Sequence, residues 1–162
     1  MIKAILLDIE GTTTPIDFVH KTLFPFAKAR IAGFVQENFD FLKFEITELA
    51  AEHADDSDYA VDFRIDSPNS VADYLKFLIE RDRKSTPLKS IQGMIWEKGY
   101  ESGGLVSEVF ADVPPAFKRL KDAGKTIAIY SSGSVLAQRL IFKYSDQGDL
   151  TQLIDKYFDT NT

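Results

Sequence analysis

The amino-terminal segment contains the feature that most restricts the fold: an almost unbroken apolar run over residues 2–7 that stops at Asp8. A short apolar run bounded by polar and turn-forming residues is typical of a strand buried on both faces, as in a parallel sheet. A second run of this kind covers residues 126–130 and leads into the Ser-Ser-Gly-Ser segment of residues 131–134. The sequence therefore predicts two parallel strands, each followed by a loop at its carboxyl end.

Helices and strands alternate in the last third of the chain. A Pro-Pro pair suits the first turn of a helix over residues 112–125, and Gly124 suits its end. A second helix is predicted over residues 135–144, and residues 150–158 predict a short helix that leads to a third strand near Tyr157. This alternation is typical of a doubly wound, Rossmann-like α/β core. On the second helix, the side chains expected to face the core are Leu136, Leu140 and Ile141.

Residues 15–110 have a different pattern, with apolar side chains at helical spacing and only a weak strand signal at residues 59–65. We interpret this region as a helical cap inserted after the first strand. The predicted domains are thus an α/β core of residues 1–14 and 111–162 and a cap of residues 15–110. The predicted cap helices cover residues 25–38, 42–50, 71–78 and 88–95.

Composition excludes several classes of function. The chain of 162 residues has no Cys, which rules out disulfides, thiolate catalysis and Cys-based metal sites, and its two His are far apart. A net charge of −6 argues against binding to nucleic acid or to an anionic membrane, because both require clustered Lys and Arg. No apolar run is long enough to span a membrane, and no signal peptide is evident. We expect a cytoplasmic, monomeric enzyme whose partner is a small molecule.

Two acids, Asp8 and Glu10, stand two positions apart where the first strand ends. Side chains two apart on an extended chain project to the same side, and ligands of open α/β sheets gather at the carboxyl ends of the strands. Two neighbouring carboxylates require a cation or a raised pKa, and Mg²⁺ prefers oxygen ligands. Gly11 permits a tight turn that brings backbone N–H groups near a phosphate, and the three threonines of residues 12–14 add hydroxyl donors.

The segment of residues 6–12, Leu-Leu-Asp-Ile-Glu-Gly-Thr, resembles the first motif of the haloacid dehalogenase-like superfamily, usually written D-x-D-G-T. The longer string through Ile16, with Phe-Val at residues 18–19 and Leu-Phe-Pro at residues 23–25, is similar to the enolase-phosphatase branch of methionine salvage. In that branch Glu replaces the usual second Asp. The resemblance implies an Mg²⁺-dependent phosphatase. Asp8 and Glu10 would bind the Mg²⁺ ion, and Asp8 would be the nucleophile.

The roles of the two acids follow from phosphoryl-transfer chemistry. A carboxylate that attacks phosphorus forms an acyl phosphate, which water then hydrolyses. A second acid two residues later can protonate the leaving oxygen and afterwards deprotonate the water. Dehalogenases of the superfamily have no acid at that position, so Glu10 favours phosphoryl transfer over carbon–halogen cleavage.

The second polar segment, Ser131 to Ser134, opens a predicted helix, where hydroxyl and N–H groups can bind an anion. Taken alone, the segment is better explained by helix N-capping through Ser134 or Ser132, and its pairing with the Asp8 motif reverses that preference. The string also resembles the second motif of the superfamily, which holds a phosphate oxygen. The predicted substrate-binding residues are therefore Thr12, Ser131, Ser132 and Gly133.

The cap segment of residues 88–96 is similar to the same branch. Gln92, Trp96, Glu97 and Lys98 could line a substrate pocket there. Alternatively, Trp96 belongs to the core of the cap and the charged residues are surface groups. The sequence leaves both interpretations open.

The chain departs from the superfamily pattern near its carboxyl end. The superfamily pattern includes a Lys after the third strand and a later acidic site, and this sequence has no counterpart of either. We therefore expect a carboxyl-terminally truncated form that binds Mg²⁺ weakly and turns over poorly. The family substrate is 2,3-diketo-5-methylthiopentyl-1-phosphate, which is enolised and then dephosphorylated to acireductone. Alternatives are another small-metabolite phosphatase or phosphomutase of the superfamily, and a catalytically defective fragment that only binds phosphate.

Overall fold

The computed structural model of the protein describes residues 2–160. Its contacts divide the chain into two compact units: a sheet unit, Met1–Leu23 with Trp96–Thr162, and a helical unit, Phe24–Ile95. The predicted division into a core of residues 1–14 and 111–162 and a cap of residues 15–110 stays a prediction. Its outermost residues 1, 161 and 162 lie outside the described part of the chain.

Three strands and seven helices follow one another along the described chain, together with a π-helical segment, Val19–Leu23, and a 3-10 turn, Thr151–Leu153. Every predicted helix of residues 15–144 has an observed counterpart. The elements are β1 (Ala4–Leu7), α1 (Ile16–Phe18), α2 (Phe24–Asn38), α3 (Lys43–Ala54), α4 (Pro68–Glu80), α5 (Thr86–Glu101), α6 (Val113–Asp122), β2 (Thr126–Tyr130), α7 (Val135–Lys143) and β3 (Lys156–Phe158).

The sheet is parallel throughout, with strand order β1-β2-β3. Leu7 of β1 is in register with Ile129 of β2, and Tyr130 of β2 is in register with Phe158 of β3. The carboxyl ends of all three strands therefore lie along one edge of the sheet. This confirms the predicted α/β class and the third strand, whereas the predicted short helix before β3 is only the 3-10 turn.

Burial differs sharply between the first two strands. β2 is the central strand, and Ile127 and Ile129 are fully buried, as predicted. The expectation that β1 is buried on both faces is wrong, because Leu6 is 61% exposed and Ala4 is also exposed. β1 lies at an edge of the described sheet, and the side chains that alternate with Ile5 and Leu7 are not covered by any described element.

The inward face of α7 also differs from the prediction. Leu140 and Ile141 are buried as expected, but Leu136 is 38% exposed and Gln138 is buried instead. At 100° per residue, the buried arc of α7 is centred near Ala137 and Ile141, so Leu136 lies at its margin. The predicted inward face was therefore wrong at Leu136 and did not include Gln138.

The helical unit has α2 and α4 packed against each other. The weak strand signal at residues 59–65 produces no strand in the described chain. The aromatic residues of this segment pack against α4 instead. The ring centroids of Tyr59 and Phe63 lie 4.9 and 5.5 Å from the ring centroid of Tyr74 on that helix. Among residues 2–160, none of the helices combines the length and apolar character needed to cross a bilayer.

Candidate active site

The first candidate loop, residues 8–14, begins where β1 ends. Asp8 is exposed, Ile9 is 2% exposed and Glu10 is half-buried, so the side chains alternate between solvent and core as the chain leaves the strand. The Ile9 N–H donates to Asp8 Oδ1 at 2.7 Å. This bond restrains the Asp8 side chain, and its other carboxylate oxygen has no hydrogen-bond partner within residues 2–160. Asp8 is therefore restrained on one oxygen and accessible on the other.

The rest of the first loop is a tight turn closed by its own backbone. The Ile9 carbonyl accepts hydrogen bonds from the N–H groups of Thr12, Thr13 and Thr14, at 3.2, 3.0 and 3.0 Å. Gly11 has φ of +74°, which favours glycine, and its N–H donates to the Thr14 carbonyl at 2.8 Å. The turn is thus specified by a glycine at the one position that needs left-handed backbone.

These bonds correct two expectations for the first loop. The N–H groups of Gly11 and of residues 12–14 all donate to carbonyls inside the turn, so these backbone donors are not available to a phosphate. Thr13 and Thr14 are buried, and the Thr13 hydroxyl lies 3.3 Å from the Asp8 carbonyl, to which it donates. Only Thr12 of the three predicted hydroxyl donors is exposed. Thr13 and Thr14 are covered by other parts of the sheet unit, and the Phe110 N–H donates to the Thr13 carbonyl at 3.0 Å. These two threonines therefore stabilise the turn.

The second candidate loop, residues 131–134, follows β2 and leads into α7. Ser131 is 7% exposed, and its Oγ accepts the Gly133 N–H at 3.1 Å. Ser134 is the N-cap of α7, and its Oγ accepts the Ala137 N–H at 3.2 Å. Ser132 is exposed, and its N–H has no acceptor in the described part of the chain. Ser134 therefore caps α7, whereas Ser132 is the exposed serine whose N–H stays open within residues 2–160.

The strand register brings the two loops together. Because Leu7 is paired with Ile129, Asp8 stands beside Tyr130, and Ser131 follows one residue later on the neighbouring strand. Adjacent strands of a sheet lie roughly 4.8 Å apart. The structure therefore brings Asp8 and Ser131 to the same edge of the sheet, with Glu10 and Ser132 in the two loops that leave it.

Two residues that the sequence analysis missed complete this edge. Asp159, directly after β3, accepts the Val135 N–H on its Oδ2 at 3.2 Å. Gln138 donates from Nε2 to the carbonyls of Gly133 and Phe158, at 2.9 and 2.8 Å. The available signal for Gln138 was a polar residue within the apolar arc of α7. Asp159 had no comparable signal.

The acids of this edge set a limit on a metal site. Nowhere in residues 2–160 do three or more His, Asp or Glu side chains converge as metal ligands. Asp8 and Glu10 supply two hard carboxylates, one of them exposed, and Mg²⁺ is commonly held by one or two carboxylates with water and substrate phosphate. The donor set of this loop therefore fits Mg²⁺ when a phosphate supplies further oxygens.

The predicted cap residues have a mixed outcome. Trp96 is 7% exposed, and its Nε1 donates to the Leu23 carbonyl at 2.9 Å, within the sheet unit. Gln92 is also buried, whereas Lys98 is exposed. Burial and a satisfied indole N–H favour the packing interpretation for Trp96. A separate cavity of about 340 Å³ lies in the helical unit and is lined by Glu52, Asp55, Asp56, Ser57, Asp58, Tyr74, Leu78, Arg83, Lys84 and Ser85.

Comparison with known proteins decides the family. The family model for haloacid dehalogenase-like hydrolases matches residues 2–161. The chain belongs to this family. The solved structure of the UTR4 protein from Saccharomyces cerevisiae is 35% identical, with a TM-score of 0.78 over 100% of this chain and 69% of that one.

Relatives within the family carry the name enolase-phosphatase E1. The protein from Leptospira borgpetersenii serovar Hardjo-bovis is 54% identical over 155 residues, covering 96% of this chain and 66% of the relative. Those from Synechococcus elongatus and Drosophila pseudoobscura pseudoobscura are 50% and 43% identical, covering 99% and 98% of this chain and 69% and 66% of each relative. The predicted resemblance to this branch is confirmed. The chain spans about two thirds of the length of these curated relatives.

Proposed function

We propose that the protein is an Mg²⁺-dependent enolase-phosphatase that works through an aspartyl phosphate on Asp8. The observation that carries the proposal is the position of the Asp8 carboxylate. It is exposed at the carboxyl end of β1, restrained by the Ile9 N–H, and beside the strand that ends at Ser131. The names of the relatives at 43–54% identity support the same activity.

After the diketo substrate has been enolised, the free oxygen of Asp8 attacks its phosphorus, and the bond from phosphorus to the enol oxygen breaks. Glu10 gives a proton to that leaving oxygen and then takes one from water. The water oxygen attacks the acyl phosphate, the bond between phosphorus and Asp8 breaks, and inorganic phosphate leaves. Mg²⁺ bound by Asp8 and Glu10 would neutralise charge between the carboxylates and the phosphoryl group.

In this proposal, Thr12 of the first loop and Ser132 of the second loop donate hydrogen bonds to the phosphoryl oxygens. Ser131 is largely buried and acts mainly by holding the Gly133 N–H, while the Ser132 N–H and hydroxyl are open to an anion. The substrate is 2,3-diketo-5-methylthiopentyl-1-phosphate. The proposal includes a cap of residues 15–110 that recognises the non-reacting end of this substrate. It also includes a monomeric state and a cytoplasmic location for the protein.

Chemical trapping tests the nucleophile. The protein is incubated with Mg²⁺ and a ³²P-labelled phosphate monoester, quenched in acid, and treated with hydroxylamine, which cleaves acyl phosphates. We expect the protein to carry ³²P that hydroxylamine removes, and we expect no label in the Asp8→Asn variant. Asp17→Asn is the matched control, since Asp17 is an exposed acid of the same unit, paired with Lys21 at 2.7 Å. Persistence of the label in Asp8→Asn would exclude Asp8 as the nucleophile.

A phosphate-binding module without turnover is the second candidate. It is favoured by the absence of a third converging acid within residues 2–160. Binding of beryllium fluoride with Mg²⁺, measured by ¹⁹F NMR, together with no release of inorganic phosphate from any monoester, would support this candidate. Phosphate release that depends on Asp8 would reject it.

A further inference from the structure

Gln138 is a buried polar residue with a specific set of contacts. It lies on the inward face of α7 and is 1% exposed, beside the buried apolar residues Ile141 and Phe142. Its Nε2 donates to the carbonyls of Gly133 and Phe158. Carbonyl oxygens only accept hydrogen bonds, so these two neighbours fix the orientation of the side-chain amide with Nε2 towards them.

The other end of this amide shows that packing does not explain the residue. Gln138 Oε1 is buried and has no hydrogen-bond partner within the described chain. A buried acceptor without a partner destabilises a fold, and an apolar side chain of similar length would avoid that cost. The two bonds made by Nε2 are therefore the reason for an amide at this place.

Both carbonyls belong to the candidate active-site edge. Gly133 is part of the second loop, and Phe158 is the last residue of β3. The Phe158 carbonyl also accepts the Ser131 N–H at 3.3 Å. One side-chain amide thus ties the middle of the second loop to the same carbonyl that holds the start of that loop.

We propose that Gln138 is a positioning residue for phosphate binding, an inference that rests on the proposed function. By holding Gly133 and Phe158 together, it keeps the second loop closed against β3, with Ser132 projecting outward. In this arrangement Ser131 and Gly133 have internal partners, and the exposed Ser132 N–H remains available to a phosphoryl oxygen. Loss of the amide removes two hydrogen bonds that hold the second loop, so the Ser132 N–H is no longer kept in position for a phosphoryl oxygen.

The test uses Gln138→Met, which retains length and removes both donated bonds. Amide hydrogen exchange at Ser131 and Gly133 is measured first, because it reports the loop without any ligand. The affinity for beryllium fluoride with Mg²⁺, a mimic of the aspartyl phosphate, is measured second by ¹⁹F NMR. We expect exchange to accelerate at both amides and the affinity to fall on the order of tenfold, as for loss of outer-shell partners.

Tyr100→Phe is the matched control. It removes a buried side-chain hydrogen bond of the same unit, between the Tyr100 hydroxyl and Ser107 Oγ at 2.6 Å, away from the second loop. We expect this variant to bind the probe as the unmodified chain does, even where its melting temperature falls as far as that of Gln138→Met. If Gln138→Met does not fold, Gln138→Asn, one methylene shorter, is expected to give the same two changes.

The outcomes separate the two proposals. Unchanged exchange, or faster exchange with unchanged affinity for the probe, would overturn the positioning role while leaving the proposed function intact. Failure of the unmodified chain to bind the probe at all would overturn the proposed function, and the role of Gln138 with it. Faster exchange and weaker binding, absent in Tyr100→Phe, would support the positioning role.

Discussion

Ile127 and Asp155 exchange two hydrogen bonds where β2 and β3 begin: the Ile127 N–H donates to Asp155 Oδ2 at 2.8 Å, and the Asp155 N–H donates to the Ile127 carbonyl at 2.9 Å. The same carboxylate accepts from Lys121 Nζ at 2.6 Å. This pair sets the register of β3 on β2. The register in turn places Phe158 beside Tyr130, next to the second loop.

Asp155→Asn is expected to destabilise the sheet unit by about 1 kcal/mol, since it removes a charge-assisted bond at a partly exposed site. The bond from Lys121 and the Ile127 N–H together lower the pKa of Asp155 below its ordinary value of 3.8. A lowered pKa in the folded state adds stability above pH 3.8, and that stability is lost as the pH falls through the folded-state pKa.

Urea unfolding at pH 7 and at pH 3 measures this contribution. The difference between Asp155→Asn and the unmodified chain should be present at pH 7 and smaller at pH 3. Asp122→Asn, at an exposed position of α6, is the control for net charge. An equal effect of both variants would assign the change to net charge instead of the pair.

Glu10→Gln is expected to separate the two half-reactions. Gln cannot take a proton from water, so hydrolysis of the aspartyl phosphate should slow by about 10²–10⁴-fold. Rapid-quench measurement with a monoester that has a good leaving group should show the phosphoprotein accumulating. Hydrolysis at the unmodified rate would show that Glu10 is not the base.

Ser131→Ala and Ser132→Ala should differ although the residues are adjacent. Ser131 is buried and bonded to Gly133, so its loss should cost about 1 kcal/mol of unfolding free energy and also weaken binding. Ser132 is exposed, so its replacement should weaken the binding of inorganic phosphate alone. Thermal melting and titration calorimetry with phosphate measure the two effects. Equal destabilisation by both variants would contradict this division of roles.

Gly11→Ala should destabilise the protein by about 1 kcal/mol or more, because φ of +74° is unfavourable for any residue with a Cβ. Gly33→Ala is the matched control in α2, where the added Cβ meets no neighbouring atom. There the change should stabilise by about 0.5–1 kcal/mol, since alanine favours helix. Urea unfolding measures both, and shifts of the same sign would contradict the argument.

Residues whose properties are local were predictable. Asp8 follows an apolar strand, Gly11 stands at a turn, and Gly124, with φ of +67°, follows the end of α6. Each depends on a few neighbouring residues, through strand propensity, backbone freedom or helix capping. The placement of β3 after residues 150–155 was predictable for the same reason.

The sequence by itself determined the order of strands and helices and the position of Asp8 at the end of the first strand, because hydrophobic periodicity and turn chemistry act over short separations. Only the tertiary structure decided that Gln138 holds the second loop, that Asp159 accepts the N–H of Val135 at the start of α7, and that Leu6 is exposed. These outcomes depend on which segments meet in space. A buried glutamine resembles a surface residue until its two carbonyl partners, 5 and 20 residues away, are known.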